Sequence, residues 1–194
     1  MTSPIGVHAL VFTGDFDTAG IEQSAQRAAK AGFDLIEYPL MDPFTFDAAA
    51  ARRAVEGEGL QVSASLGLPI DADISSDDPA VVAAGVRLLD TALEKTAEMG
   101  GTDLCGVLYG SMRKHLAPCT ATGRANSAAA IGELGRKAEG LGVRIALEVV
   151  NRYESNILNT GRQALTYLEE VGTDWVKVHL DTYHMNIEES DLFQ

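Results

Sequence analysis

Short apolar runs alternate along the whole chain with longer stretches whose apolar residues recur at helical spacing. Six of the runs are predicted to be strands, at 5–12, 33–38, 60–66, 103–109, 143–149 and 175–181. A strand followed by a helix, repeated in this way, is typical of α/β folds with a parallel sheet. The pattern therefore predicts six consecutive βα units, and because no Pro- or Ser-rich linker interrupts them, a single domain over residues 1–194.

Residues that cap helix ends mark where several of the helices begin and stop. Asp78 precedes Pro79, a pair typical of a helix start because the carboxylate can cap free N–H groups and proline fits the first turn. Thr160 and Gln163 have the spacing of a capping box, and Gly172 is a natural stop for the same helix. Further helices are predicted over 18–31, 46–58 and 125–141.

The last two predicted strands have one apolar face and one polar face. In the fifth strand every odd-numbered position is apolar, whereas Arg144 and Glu148 lie on the other face. In the sixth strand Lys177, His179 and Asp181 oppose three apolar residues. An open sheet covered by helices on both sides needs apolar residues on both faces, whereas a barrel can direct polar residues inward. The sidedness therefore favours a (β/α)8 TIM barrel over a doubly wound sheet.

Two further observations bear on this choice of architecture. The first strand is not followed by the glycine pattern G-x-G-x-x-G of dinucleotide-binding folds, and no phosphate-binding P-loop pattern occurs. A complete TIM barrel has eight strands in roughly 250 residues. The chain has six predicted strands in 194 residues, so we expect it to be the first six βα units of a longer polypeptide.

Composition narrows the classes of function. Fifteen Lys and Arg against 28 Asp and Glu give a formal net charge of −13, which disfavours binding to nucleic acids or to anionic membranes. The first residues lack the basic start and apolar run of a signal peptide, so we expect a cytoplasmic protein. Cys105 and Cys119 are the only cysteines, and they suit neither a disulfide framework nor a cysteine zinc site.

Two carboxylates stand where a barrel enzyme carries its reactive groups. Glu148 and Asp181 are the last inward-facing residues of consecutive predicted strands, and TIM barrels place their active sites at the carboxyl ends of the strands. Neighbouring carboxylates are costly to bury unless a cation lies between them. On spacing alone, a metal site and two solvated acids both stay open.

The sequence around these carboxylates resembles a known family. The runs ALEVVNRYE at 146–154, LNT at 158–160 and LDTYHMNIEE at 180–189 are similar to the ketose 3-epimerases, the D-tagatose 3-epimerase and D-psicose (D-allulose) 3-epimerase group of the xylose-isomerase-like TIM-barrel superfamily. Weaker similarity occurs at IGVH 5–8, AGFDLIE 31–37 and LGL 66–68. The whole chain fits the first six βα units of this family.

The resemblance implies a divalent ion, usually Mn²⁺ and in some members Co²⁺ or Mg²⁺, held by two Glu, one Asp and one His. Glu148 matches the first ligand and Asp181 the second, while the other two belong to strands seven and eight. Glu148 also matches one of two carboxylates that act as catalytic acid and base. His184 and Glu154 match residues that hold substrate oxygens, and His8 falls where the family lines the pocket against the sugar.

The reaction implied is epimerisation of a ketose at C3 through an enediolate. Free sugars are expected rather than phosphorylated ones, because no phosphate cradle of glycines and basic residues is evident. The full-length protein is expected to form homo-oligomers, as complete relatives commonly do.

Three alternatives remain open on the sequence. An aldose–ketose isomerase resembling hydroxypyruvate isomerase would use the same fold and an enediolate. An endonuclease-IV-like enzyme belongs to the same superfamily, although a net charge of −13 argues against DNA as substrate. A partial barrel without activity would expose two sheet edges and an apolar interior, so that the chain would self-associate.

Several other polar residues receive structural interpretations. Arg152 is predicted to pair with a carboxylate and hold the loop after the fifth strand. Glu188 and Glu189 are predicted to cap the start of the next helix. His179 is assigned to the barrel core, and whether Glu37 faces the site is left open.

Overall fold

The strands form one parallel sheet in the order of the chain. In this computed structural model, which describes residues 3–192, the sheet is a half-barrel with helices packed on its outside. The strands are β1 Gly6–His8, β2 Leu35–Pro39, β3 Gln61–Ser65, β4 Asp103–Gly106, β5 Arg144–Val149 and β6 Val176–Leu180. The helices are α1 Thr18–Ala31, α2 Ala48–Glu58, α3 Pro79–Glu98, α4 Ala121–Leu141, α5 Gly161–Val171 and α6 Thr182–Glu188, with short 3₁₀ helices at Ala9–Val11 and Ile70–Ala72. The six predicted βα units are confirmed.

The helix boundaries follow from side-chain caps. Asp78 caps α3, and Thr160 with Gln163 forms the predicted capping box at the start of α5. Gly172 ends α5 in the left-handed conformation that glycine tolerates best. Helix α4 begins at Ala121 rather than at the predicted residue 125, because the Thr120 side chain accepts a hydrogen bond from the Gly123 N–H. None of the helices within residues 3–192 is both long and apolar enough to cross a membrane.

Strand β1 is shorter than the sequence pattern predicts. The ring of His8 accepts a hydrogen bond from the Leu10 N–H, which turns the chain into a 3₁₀ helix directly after the strand. Leu10 and Val11 are apolar, but 53% and 70% of their surfaces are exposed. The predicted extension to residue 12 was therefore wrong, because the apolar run continues into a turn instead of the sheet.

The two faces of the sheet differ as the alternation predicts. On the outer face Ile36, Ile145 and Leu147 are buried and belong to the hydrophobic core. The inner face is polar, and Glu37 there accepts hydrogen bonds from the Ser63 hydroxyl and the Cys105 thiol. The polar residues of neighbouring strands therefore share the interior of the half-barrel.

Strand β4 ends early, at Gly106, instead of reaching the predicted residue 109. Gly106 has a φ of +120°, and a Cβ at this position would collide with the backbone carbonyl of Leu66. Only glycine combines that dihedral angle with so close an approach between β4 and the segment after β3.

Gly106→Ala is therefore expected to destabilise the fold by about 2 kcal/mol or more, from the strained dihedral angle and the collision. Gly57→Ala is the matched control, since Gly57 lies inside α2 with open space around its Cα. That control is expected to gain about 0.5–1 kcal/mol. Urea denaturation of both variants measures the difference, and equal stabilities would contradict the assignment.

Candidate metal centre

Three side chains converge at the carboxyl ends of β5 and β6. Glu148 lies near the end of β5, Asp181 directly follows β6, and His184 lies in the first turn of α6. Each offers one ligand atom, and these atoms all lie within 4.8 Å of one another. The parallel register explains the convergence, because Glu148 pairs with His179 two residues before Asp181.

Asp181 has a structural contact that fixes its orientation. Its Oδ1 accepts hydrogen bonds from the N–H groups of Tyr183 at 2.7 Å and His184 at 3.0 Å, so it caps α6. Its Oδ2 accepts no hydrogen bond from the residues that the structure describes. One oxygen therefore holds the helix, and the other has lone pairs for a cation.

The Glu148 carboxylate is in an environment that disfavours its charge. Burial raises the pKa of Glu148, and the nearby carboxylates of Asp181 and Glu37 raise it further, while His179 and His184 act in the opposite direction. Within residues 3–192 no Lys or Arg lies within ion-pair distance of it.

The donor chemistry of this site fits a divalent cation. A cation between Glu148 and Asp181 would offset the repulsion between their carboxylates and the cost of burying them. Carboxylate oxygens are ligands that suit Mn²⁺ and Mg²⁺.

His184 and Glu154 are joined through Asn151. His184 is 8% exposed, and its Nε2 lies 3.9 Å from Glu148 Oε1. Its Nδ1 faces the backbone N–H and the side-chain Nδ2 of Asn151, and that Nδ2 also donates to Glu154 Oε1 at 3.0 Å. Sequence reasoning missed Asn151, although it stands inside the run 146–154 between the two glutamates.

His8 and Glu148 both line a cavity of about 550 Å³ at the ends of the strands. Both ring nitrogens of His8 face protein groups. Nδ1 accepts from the Leu10 N–H, and Nε2 lies 3.1 Å from Ser65 Oγ and 3.8 Å from Glu37 Oε1. The other lining residues are mostly apolar: Leu10, Pro39, Leu40, Met41, Ser65, Leu66, Gly67, Pro69, Leu88, Gly106, Val107 and Met112.

The remaining polar residues of this region have structural contacts. Arg152 pairs with Glu188, with 2.6 Å between Nη2 and Oε2. Glu188 is the last residue of α6, and Glu189 accepts from the Gly161 N–H at the start of α5. The prediction that both glutamates cap the helix after the sixth strand was wrong, because that helix starts at Thr182 and Glu189 serves the preceding helix instead.

Glu37, which the sequence left open, and His179 both lie on the inner face. Glu37 points into the half-barrel, where it contacts Ser63, Cys105 and the ring of His8. His179 lies beside Glu148, and its Nδ1 is buried with no hydrogen-bond partner among the described residues.

Asp73 connects the loops after β3 and β4. It accepts hydrogen bonds from Ser75 and from the Ser111 hydroxyl. Burial alone would raise the pKa of Asp73, but these hydrogen bonds outweigh it and lower the pKa. The loop that carries Ser111 also contacts the loop of Glu154, because the Arg113 N–H donates to the Glu154 carbonyl at 2.9 Å.

Asp73→Asn is expected to lower the free energy of unfolding by about 1–3 kcal/mol at neutral pH, because an amide cannot accept all of these buried hydrogen bonds. A folded-state pKa below the unfolded value of about 3.9 stabilises the protein above that pH, and the benefit is lost as pH falls through the folded pKa. Urea denaturation should therefore show the gap between wild type and variant narrowing in acid. Asp71→Asn, at an exposed position, is the control. A gap that stays constant down to about pH 3 would contradict the role of the ionised carboxylate.

Comparison with known proteins identifies the family. The model of the xylose isomerase-like TIM barrel family matches residues 25–194. The ketose 3-epimerase of Arthrobacter globiformis is 58% identical over 97% of this chain and 65% of its own length. The L-ribulose 3-epimerase of Methylomonas sp. (strain DH-1) is 46% identical over 96% of this chain and 65% of its own length.

A solved structure of a 3-epimerase has the same fold as this chain. The D-allulose 3-epimerase from Methylomonas sp., in complex with D-allulose, superposes with a TM-score of 0.94 at 45% identity, covering 96% of this chain and 65% of that one. The chain thus spans 65% of the length of these relatives. The resemblance to ketose 3-epimerases found in the sequence is confirmed, and the chain belongs to the xylose isomerase-like TIM barrel family.

Proposed function

We propose that the protein epimerises free ketoses at C3, with Glu148 as the base that exchanges the C3 proton. The observation that carries the proposal is the convergence of Glu148, Asp181 and His184 beside a cavity that Glu148 lines. Similarity to ketose 3-epimerases, at 58% identity for the Arthrobacter enzyme, supports the reaction class.

The chemistry requires a base beside the C3 carbon. Epimerisation removes a proton from the carbon next to the carbonyl and returns one to the opposite face of the enediolate. Glu148 can remove the proton, because its carboxylate reaches the cavity and has no Lys or Arg partner within residues 3–192.

We propose that Glu148 and Asp181 hold a divalent cation, with Mn²⁺ as the ion and Co²⁺ or Mg²⁺ as alternatives. Such an ion would supply Lewis-acid stabilisation of the negative charge that develops on the substrate. The positions of both carboxylates are fixed before the ion binds, because Asp181 is held by its hydrogen bonds to α6 and Glu148 by its position in β5.

The surrounding residues orient the sugar. His184 directs Nε2 toward Glu148 and would donate to a substrate oxygen, while the Glu154 carboxylate would accept from a hydroxyl. His8 would contact the sugar through the surface of its ring, because both of its nitrogens face protein groups. Among residues 3–192, no Lys or Arg lines the cavity, which favours a free ketose over a sugar phosphate.

A ketose 3-epimerase and an aldose–ketose isomerase are distinguished by the product that each forms. The protein purified from its native gene is incubated with Mn²⁺ and D-allulose, and the product is identified by chromatography. Release of D-fructose, its C3 epimer, that stops on addition of EDTA supports the proposal. An aldose as the first product would instead support an aldose–ketose isomerase.

The absence of any product would favour the third alternative, a partial barrel without activity. The intact mass of the native protein separates the causes of such a result. A mass of 20.6 kDa would make the partial barrel the explanation, whereas a larger mass would contradict the epimerase assignment itself. The cytoplasmic location and homo-oligomeric state of the full-length protein stay predictions, and sedimentation velocity tests the second.

A further inference from the structure

Asn151 contacts both residues that we assign to the substrate oxygens. It lies two residues after the end of β5 and is 2% exposed. Its Nδ2 lies 2.8 Å from His184 Nδ1 and 3.0 Å from Glu154 Oε1, so its two N–H bonds are directed at two different side chains. No other residue described by the structure hydrogen-bonds to both.

The orientation of the Asn151 amide follows from its neighbours. Oδ1 accepts from the Tyr153 N–H at 2.9 Å, and the opposite end of the amide faces the carboxylate of Glu154. A flipped amide would bring its oxygen against the carboxylate oxygen and its NH₂ against the Tyr153 N–H. Both contacts would be repulsive, so Nδ2 is the atom between Glu154 and His184.

This orientation determines the tautomer of His184. Nδ1 faces two donors, the Asn151 backbone N–H at 3.2 Å and its Nδ2 at 2.8 Å, and neither can accept a proton. The neutral ring must then carry its hydrogen on Nε2, the atom that lies 3.9 Å from Glu148 Oε1. A histidine that binds a metal through Nε2 normally donates its Nδ1–H to an acceptor, and His184 Nδ1 faces only donors.

We propose that Asn151 is a positioning residue that holds His184 as the Nε2–H tautomer and aligns it with the Glu154 carboxylate. His184 is then a hydrogen-bond donor at the site and not a third metal ligand. Asn151 thereby fixes the distance between the donor, His184 Nε2–H, and the acceptor, the Glu154 carboxylate. The assignment of a sugar as their common ligand rests on the proposed function, whereas the tautomer is a property of the chain itself.

The test is nitrogen NMR of the protein with its histidines labelled with ¹⁵N. The protein is loaded with diamagnetic Mg²⁺, and the pH is kept above the titration range of imidazole. The His184 signals are assigned from their loss in His184→Gln. We expect a pyrrole-like Nε2 and a pyridine-like Nδ1 in the wild type. The reverse pattern would overturn the proposal, and this measurement needs no variant of Asn151 to fold.

Asn151→Asp tests the cause, because it replaces the Nδ2 donor by an oxygen of the same size. We expect His184 to acquire a proton on Nδ1 and kcat/KM for the ketose to fall by about 10–100-fold, the usual cost of losing a group that orients a site. Asn156→Asp is the matched control: it makes the same change in the same loop, where Nδ2 donates to Ala117 and does not contact His184. An unchanged His184 tautomer together with an unchanged kcat/KM in Asn151→Asp would overturn the assignment of Asn151 as a positioning residue.

The two proposals fail separately. The expected nitrogen spectra without conversion of any ketose would leave the positioning role intact and contradict the epimerase proposal. C3 epimerisation with His184 in the Nδ1–H form would do the reverse.

Discussion

Glu148→Gln is expected to lower the rate of proton exchange at C3 by about 10²–10⁴-fold, the range typical for the loss of a general base. The amide has nearly the same volume as the carboxylate but cannot take up the proton. The rate is measured as kcat with a ketose and Mn²⁺, at saturating ion so that weakened metal binding does not contribute.

Urea unfolding of the variant shows whether its loss of activity comes from a loss of stability. Because burial raises the pKa of Glu148, its ionised form is disfavoured in the folded protein without a bound cation. The metal-free variant should therefore unfold at the same urea concentration as wild type or a higher one. Glu139→Gln, an exposed change on α4, should alter neither property. A Glu148→Gln protein with more than about a tenth of wild-type kcat would contradict the role of Glu148 as base.

Asp181→Asn is expected to raise the dissociation constant for Mn²⁺ by at least about 100-fold, above the 10–100-fold typical of losing a residue that only supports a ligand. Asparagine is also a good N-cap, so its oxygen can keep the bonds to Tyr183 and His184 and preserve α6. The change therefore removes charge at the metal centre with little effect on the helix.

Manganese binding is measured from the electron paramagnetic resonance signal of the free ion. Asp174→Asn removes the same charge from the exposed turn before β6 and should leave the dissociation constant unchanged. Equal Mn²⁺ affinity in Asp181→Asn and wild type would show that Asp181 serves only as a helix cap.

Periodicity was sufficient to predict the βα units and the polarity of their faces. The alternation along β5 and β6 reports which side packs on helices, and the same alternation directs Glu148 inward. Helix starts were predictable where one side chain caps the helix locally, as at Asp78 and Thr160. These features depend on interactions within a few residues of sequence.

The errors arise where contacts distant in sequence or unusual backbone geometry decide the outcome. The end of β4 depends on the positive φ of Gly106 against the segment after β3, which apolar character alone does not reveal. Glu189 caps a helix that begins 28 residues earlier. Asn151 was missed for the same reason, since its contact with His184 spans 33 residues and only folding brings the two together.

The position of solvent deuterium in a recovered ketose shows directly which carbon loses its proton. The native protein is incubated with D-allulose and Mn²⁺ in deuterium oxide, and the ketoses are isolated and analysed by NMR. We predict deuterium at C3 of both D-fructose and recovered D-allulose, because Glu148 exchanges the proton it removes with solvent. Deuterium confined to C1 or C2, or ketose recovered without label in a protein that converts it, would contradict the account.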